Sequence, residues 1–215
     1  MLKPGSFFRS NFQWKTRAPI FILLLLVAAP GTRGTTLVHM DVVDLTHSAQ
    51  VVARARCRAN STRWEDGHLW TLTTFDVLEL WKNTELRIPA LRTITVRLVG
   101  GRDRRGTVLV DGVPQFRPGE EVVLFLEPSA APSATPSATP SAMGELTVIS
   151  WAQGTFRVRR DRHTHEEIAV QDTSGLRVFE PATRAVRPGG LRRIPLAELH
   201  QRVLRASPGA GRNPS

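Results

Sequence analysis

His163, His165 and Glu167 are the residues whose types and spacing come closest to a metal site. On a β-strand, residues two positions apart lie on the same face, and two imidazoles with one carboxylate can ligate zinc. A site of this kind would make the protein a metal-dependent hydrolase. Three of the four residues from 159 to 162 are arginines, however, and so dense a charge is typical of a solvated hairpin. We expect a solvated hairpin and keep the metal site as the alternative.

No other pattern in the sequence predicts catalysis. The chain lacks the Gly-x-Ser-x-Gly turn that presents a hydrolase nucleophile. His39, His47 and His68 have no partners at an informative spacing. The loop Gly100–Gly106 is rich in glycine, but it lacks the helix and the Lys-Ser/Thr pair that follow a phosphate-binding loop. We therefore expect a protein that is not an enzyme and has no catalytic, cofactor-binding or metal-binding residues.

The net charge of +10 is unevenly distributed along the chain. Residues 1–34 contain five basic and no acidic residues, whereas the remainder contains 24 basic and 19 acidic residues, a net charge of +5. Lys82 is the only lysine of that remainder. Because the arginines are scattered and are not interleaved with aromatic residues, the sequence does not predict nucleic-acid binding.

Residues 1–34 have the organisation of an export signal. Lys15 and Arg17 precede the ten-residue apolar run Ile20–Ala29, which is too short to span a bilayer comfortably. We expect cleavage of this signal and a periplasmic or extracellular protein, with an uncleaved anchor in the inner membrane as the alternative. The single cysteine, Cys57, excludes an internal disulfide, and no cysteine follows the apolar run to serve as a lipid anchor.

The first half of the remaining chain alternates in the manner of β-strands. Residues 41–49 are expected to form a short helix that begins at a capping aspartate. In Val51–Ala59 the odd positions are small and apolar, which places Cys57 in the core as a structural thiol. Asn60–Thr62 is expected in a hairpin loop. In Trp70–Trp81 the apolar phase shifts near residues 74–76, which predicts a bulge in that strand.

The second half contains the most apolar strand of the sequence. Val122–Leu126 is apolar at every position, so we expect a strand that is buried on both faces. Residues 128–142 are a Pro/Ser/Ala/Thr-rich repeat without large apolar groups, which predicts a disordered loop over residues 128–143, inserted between two strands. Gly154 is expected at a bulge or at a close backbone approach. Residues 196–204 carry the apolar stripe of an amphipathic helix, and 206–215 are expected to form a disordered tail.

Two segments together resemble a group of uncharacterised exported bacterial proteins. They are Pro114–Leu126 and Ala152–Phe156. The group has a Pro-x-Phe-x-x-Gly-Glu-x-x-Leu-x-Phe-Leu segment, in which Val123 replaces the first Leu here, followed by an Ala-Gln-Gly-x-Phe segment. The resemblance covers about residues 36–205 and implies export and a single β-rich domain. It implies no activity.

A fainter similarity is to the OB-like barrel of tissue inhibitors of metalloproteases and netrin-type modules. This similarity implies a small barrel that could inhibit proteases. Those inhibitors use an N-terminal cysteine and several disulfides, which one cysteine cannot provide.

The sequence therefore predicts a mostly β domain over residues 36–205. We expect a single antiparallel coiled sheet or a small OB-like barrel of five to seven strands, with a short N-terminal helix and a C-terminal helix. The function we expect is that of a monomeric, non-catalytic binding module of the cell envelope. It would contact an unidentified protein or envelope ligand through the loop Arg102–Arg105 or the barrel face. The alternatives are an envelope protease inhibitor and the metal-dependent hydrolase.

Overall fold

The computed structural model describes residues 35–84, 91–129 and 144–207. These ranges contain the helices α1 (Val42–Ser48) and α2 (Leu196–Ala206). The strands are β1 (Thr36–Val38), β2 (Val51–Glu65), β3 (His68–Asn83), β4 (Thr93–Val99), β5 (Gly101–Arg102), β6 (Thr107–Val108), β7 (Glu121–Pro128), β8 (Glu145–Val148), β9 (Thr155–Arg160), β10 (Glu167–Asp172), β11 (Arg177–Glu180), β12 (Ala185–Pro188) and β13 (Leu191–Pro195).

Eight strands form one large sheet in the order β13–β10–β9–β7–β2–β3–β4–β8. β7 also pairs with β8, so that β2, β3, β4, β8 and β7 are linked in a ring of pairings. The ring is uneven, because β4 and β8 pair only at Thr95–Glu145 and Val96–Leu146. The predicted mostly β domain with a helix near each end is confirmed. The sheet is not purely antiparallel, since β4 and β8 run parallel.

Two smaller sheets complete the domain. β1, β11 and β12 form a three-stranded sheet in which β1 and β11 are parallel, and β5 and β6 form a short hairpin. Gln153 connects the three-stranded sheet to the large sheet. Its side chain accepts from Met40 N at 3.0 Å and donates to Val38 O at 2.7 Å.

The strand β7 separates the two cores of the domain. Every residue of Val122–Leu126 is 0% exposed, so the predicted burial on both faces is confirmed. Val123 and Phe125 pack in the core beneath the helices, whereas their neighbours pack in the core inside the ring. Because the side chains of a strand alternate between faces, an apolar residue is required at each of these positions.

The two helices cover one face of the sheet. Asp41 caps α1 in a capping box, in which Asp41 Oδ1 accepts from Asp44 N at 2.8 Å and Asp44 Oδ2 accepts from Asp41 N at 3.1 Å. α2 buries its stripe of Leu196, Leu199 and Val203 in the same core.

Lys82 caps the C-terminal end of α1. Its ammonium donates to Thr46 O and Ala49 O, both at 2.6 Å, and so satisfies carbonyls that the helix leaves unpaired. Burial lowers the pKa of Lys82, because the charged ammonium loses its hydration there.

Two predictions for the first hairpin are wrong, because β2 contains a bulge. Asn60–Thr62 continues β2 rather than forming a loop, and the chain turns at Asp66-Gly67. The pairing with β3 skips Arg58, which reverses the phase of the strand. As a result Ala59 is exposed instead of buried. The bulge predicted near residues 74–76 of β3 lies opposite them, on β2, while β3 itself is irregular at Leu78 and Trp81.

Several predictions concern residues beyond the described ranges. The export signal at 1–34, residues 130–143 of the loop and the tail from 208 onward are outside them. The strands that flank the loop, β7 and β8, are antiparallel neighbours, so its predicted position between two strands of one sheet is confirmed. Within the described ranges, no helix has the length and apolar character needed to cross a bilayer.

Gly154 provides a test of the turn that packs against β7. A Cβ atom at this position would lie 2.2 Å from the carbonyl oxygen of Ile149, which confirms the predicted close approach. We expect Gly154→Ala to lower the free energy of unfolding by about 2 kcal/mol, because the backbone must move to admit the methyl group. Gly190→Ala is the matched control, since a Cβ there has open space around it. Urea denaturation of both variants measures the difference, and equal stabilities would contradict the packing.

Candidate functional site

The inner face of the β2–β3 hairpin becomes polar beyond the bulge at Arg58. Asn60 and Thr62 on β2 lie opposite Thr73 and Thr71 on β3. These four side chains continue the face that carries the apolar core closer to β7. They form a wall of hydroxyl and amide groups, which we call the polar wall.

The chain crosses in front of the polar wall between β4 and β7, over residues 100–116, the crossing segment. Its first residues are held by the wall, because Thr71 Oγ1 donates to Gly100 O at 2.6 Å and Thr62 Oγ1 donates to Arg102 O at 3.1 Å. Only glycine fits between them at position 101, where φ is +137° and a Cβ would lie 2.2 Å from Thr71 Oγ1.

The far end of the crossing segment is held in the same way. Asn60 Nδ2 donates to Phe116 O at 2.8 Å, and Asn60 Oδ1 accepts from Thr73 Oγ1 at 2.7 Å. The Phe116 ring contacts Phe75 edge to face, with 5.0 Å between the ring centroids. The polar wall is therefore bonded to both ends of the segment that covers it.

A groove of about 480 Å³ opens between the polar wall and the crossing segment. We call it the mouth groove. Thr107 and Gln115 are among its lining residues, and their side chains have no hydrogen-bond partner within the described part of the chain. These hydroxyl and amide groups are available to a polar ligand. The remaining lining combines the wall with small apolar residues such as Val108 and Val113.

Arg102 forms part of the rim of the mouth groove and begins the turn of the β5–β6 hairpin, Arg102–Arg105, which we call the arginine turn. Asp103 fixes its shape, because Asp103 Oδ1 accepts from the N–H groups of Arg105 at 2.7 Å and Gly106 at 3.0 Å. Asp103 Oδ2 accepts from Trp64 Nε1 at 2.6 Å, which ties the turn to the β2–β3 hairpin. First this indole bond and then the backbone bonds lower the pKa of Asp103.

The three arginines of this turn differ from Arg54 and Arg97 of the large sheet, which bind glutamates. Arg102, Arg104 and Arg105 are exposed, and none forms an ion pair within the described ranges. Because Asp103 is the only acidic residue of the turn, its net charge is +2. The rim is a cationic edge beside a polar groove.

The alternative metal site is not formed. His163 and His165 lie in the exposed turn between β9 and β10, which confirms the predicted solvated hairpin. Glu167 is at the start of β10, where its carboxylate binds Arg54 Nη2 at 2.8 Å. The described residues contain no group of three or more His, Cys, Asp or Glu side chains placed to hold a metal ion. Cys57 is buried, as predicted, and burial raises the pKa of its thiol.

Arg54 is the centre of a charge cluster that the sequence does not indicate. Alternation places its guanidinium on the outer face of β2, and there each of its nitrogens binds a different glutamate. Glu79 is 3.0 Å away and also accepts from Trp81 Nε1 at 3.0 Å. The indole bond and the guanidinium lower the pKa of Glu79. No sequence spacing links these residues, because Glu167 is 113 positions from Arg54.

A second cluster is buried on the outer face of β3 and β4. Arg97 binds Glu65 at 2.9 Å and Glu145 at 3.3 Å, and its guanidinium lies 4.0 Å from the centre of the Trp70 ring. Ion pairs of this kind fix the relative positions of strands, and removal of one partner is strongly destabilising.

Comparisons by sequence add nothing to this geometry. No known protein-family model matches the chain, and no curated protein sequence matches it.

The contact between Asp103 and Trp64 gives the site a measurable pH dependence. A lowered pKa means that the carboxylate is half protonated only at a pH below the ordinary aspartate value of 3.8, so its bonds weaken with a midpoint below that value. The fluorescence difference between the wild type and Trp64→Phe isolates this indole. We expect that difference to change on acidification with a midpoint below pH 3.8.

Asp103→Ala should show the acid form of the Trp64 signal already at neutral pH. Circular dichroism recorded in parallel separates local release of the arginine turn from unfolding. An unchanged Trp64 signal in Asp103→Ala would contradict the contact.

Proposed function

We propose that this protein is an exported, non-catalytic binding module whose ligand occupies the mouth groove. The observation that carries the proposal is the groove itself, about 480 Å³ in volume, whose lining includes the unused hydroxyl of Thr107, the unused amide of Gln115 and Arg102, the first residue of the arginine turn. Among the described residues that line it, none is a carboxylate, imidazole or thiol. A groove that offers hydroxyl groups for hydrogen bonding, but no acid or base among its described lining residues to activate them, favours binding over catalysis.

An OB-like barrel is the fold that best accounts for this site. In the ring of pairings, β2, β3 and β4 are successive antiparallel strands, β4 pairs in parallel with β8, and β7 joins β8 to β2. This connectivity supports an OB-like barrel, in which a strand face and the loops around it bind ligands. The mouth groove lies at the end of such a barrel, beside the β2–β3 hairpin.

Export follows from the residues before the domain. The basic residues and the short apolar run within residues 1–34 support secretion into the periplasm or the medium, with retention as an inner-membrane anchor as the alternative. The arginine-rich rim would then meet components of the envelope.

Inhibition of an envelope protease is the second candidate function. The OB-like connectivity supports it, because the similar inhibitors are built on the same type of barrel. The N-terminal cysteine of those proteins has no counterpart here, since Cys57 is 2% exposed and lies in the core. An inhibitor would therefore have to use the mouth groove and the arginine turn.

Site-specific photo-crosslinking tests the proposed function. A benzophenone amino acid is introduced at Gln115 or Thr107 in the mouth groove, and at Val186 or Leu191 on exposed strands elsewhere, as controls. In cells that express the full chain we expect one discrete adduct from the groove positions and none from the controls. Adducts of equal yield at all four positions, or at none, would refute the groove as a binding site.

The same purified chain distinguishes the two candidates. An inhibitor should slow one member of a panel of exported proteases at micromolar concentration or below. A binding module gives the groove-specific adduct without slowing any of them.

A further inference from the structure

The outer strand of the β5–β6 hairpin has a free edge. The polar wall holds β5 through Thr71 and Thr62, and the other edge of β5 pairs with β6. Within the described ranges β6 pairs with no other strand. Leu109, which follows β6, has no backbone hydrogen bond to any described residue. A row of unpaired N–H and C=O groups is a template for another strand.

The same edge exposes apolar side chains. Val108 is 37% exposed and Leu109 is 69% exposed, the highest value among the large apolar residues described as exposed. Val110 follows them and turns toward the mouth groove, which it lines. A strand that paired with this edge would cover Leu109 and close the groove from outside.

The charges beside the edge select the partner. The arginine turn joins β5 to β6 and carries a net charge of +2, with three guanidiniums that have no ion-pair partner among the described residues. A second copy of this chain would bring the same three arginines to the contact, and like charges at close range oppose pairing. An acidic strand would bring complementary charges instead.

We propose that the outer edge of β6 binds an extended acidic segment of a partner protein by strand addition. The backbone of the partner pairs with Val108 and Leu109, an apolar side chain of the partner packs on Leu109, and its carboxylates bind the arginine turn. This inference rests on the proposed function, since it names the partner that closes the mouth groove. A polyanion without a peptide backbone would use the arginines but not the edge or Leu109.

Fluorescence anisotropy on the full-length chain tests the inference with designed heptapeptides. The probe is fluorescein-labelled Asp-Val-Glu-Val-Glu-Val-Asp. One comparison peptide has proline in place of the central valine, a second has lysine in place of each acidic residue, and a third is heptaglutamate. We expect the probe to bind and the three comparison peptides to bind at least about tenfold more weakly, because each lacks the strand, the charge or the apolar contact.

Matched variants locate the binding. Leu109→Ser and Leu109→Pro should each weaken the probe about tenfold, whereas Leu191→Ser, at a leucine that is 60% exposed on β13, should leave it unchanged. Arg104→Glu with Arg105→Glu should abolish binding. Arg160→Glu with Arg162→Glu, the same charge change on the β9–β10 hairpin, should not. Circular dichroism verifies that each variant is folded.

Each outcome decides between the alternatives. Heptaglutamate and the proline peptide binding as tightly as the probe would show a polyanion surface and overturn strand addition. Probe binding that Leu109→Ser and Leu109→Pro leave unchanged would overturn it as well. If no peptide binds but the crosslinks from the mouth groove remain, this inference fails and the proposed function stands. If the crosslinks are also missing, both fail.

Discussion

The burial of β7 is the constraint on which the rest of the structure depends. A strand with no exposed residue from Val122 to Leu126 must have covered faces and paired edges, because unpaired backbone groups are costly away from water. β2 pairs with one edge, β9 and β8 pair with the other, and the helices and the ring cover the faces. β2 pairs with β7 only from Val51 to Arg56. Beyond that point the β2–β3 hairpin extends past β7, and its inner face requires a different cover.

The crossing segment is that cover, and its polar contacts explain why a groove exists there. Thr73 is 1% exposed, and a buried hydroxyl without a partner would destabilise the fold. Asn60 Oδ1 accepts the hydrogen bond of this hydroxyl, and Asn60 Nδ2 donates to the carbonyl of Phe116. The hairpin and the segment therefore satisfy each other through directed bonds rather than through close apolar packing. These bonds join the two surfaces at their ends, and the mouth groove lies between the joined ends.

The sequence predicted the elements whose signals are local. The burial of β7 and the helix cap at Asp41 both follow from residue types at fixed short spacings. The bulge at Arg58 has no such signal, because it depends on the register between two strands. Without that bulge, the sequence predicts Ala59 in the core and Asn60–Thr62 in a loop.

The candidate site was predicted only in part. The arginine turn was recognised from its glycines and charges, but the mouth groove was not. The groove depends on hydrogen bonds between residues far apart in sequence, such as Thr71 with Gly100, 29 positions on, and Asn60 with Phe116, 56 positions on. The alternative metal site of His163, His165 and Glu167 is the opposite case. Its residues are close in sequence, yet the β9–β10 turn separates their side chains into solvent and an ion pair.

Hydrogen–deuterium exchange of the double variant Asn60→Ala with Thr71→Val tests the central claim most directly. If the polar wall holds the crossing segment over the mouth groove, amides in residues 100–116 will exchange at least about tenfold faster than in the wild type, while those of Val122–Leu126 will stay protected. Unchanged exchange in residues 100–116, or equal acceleration in β7, would contradict the account.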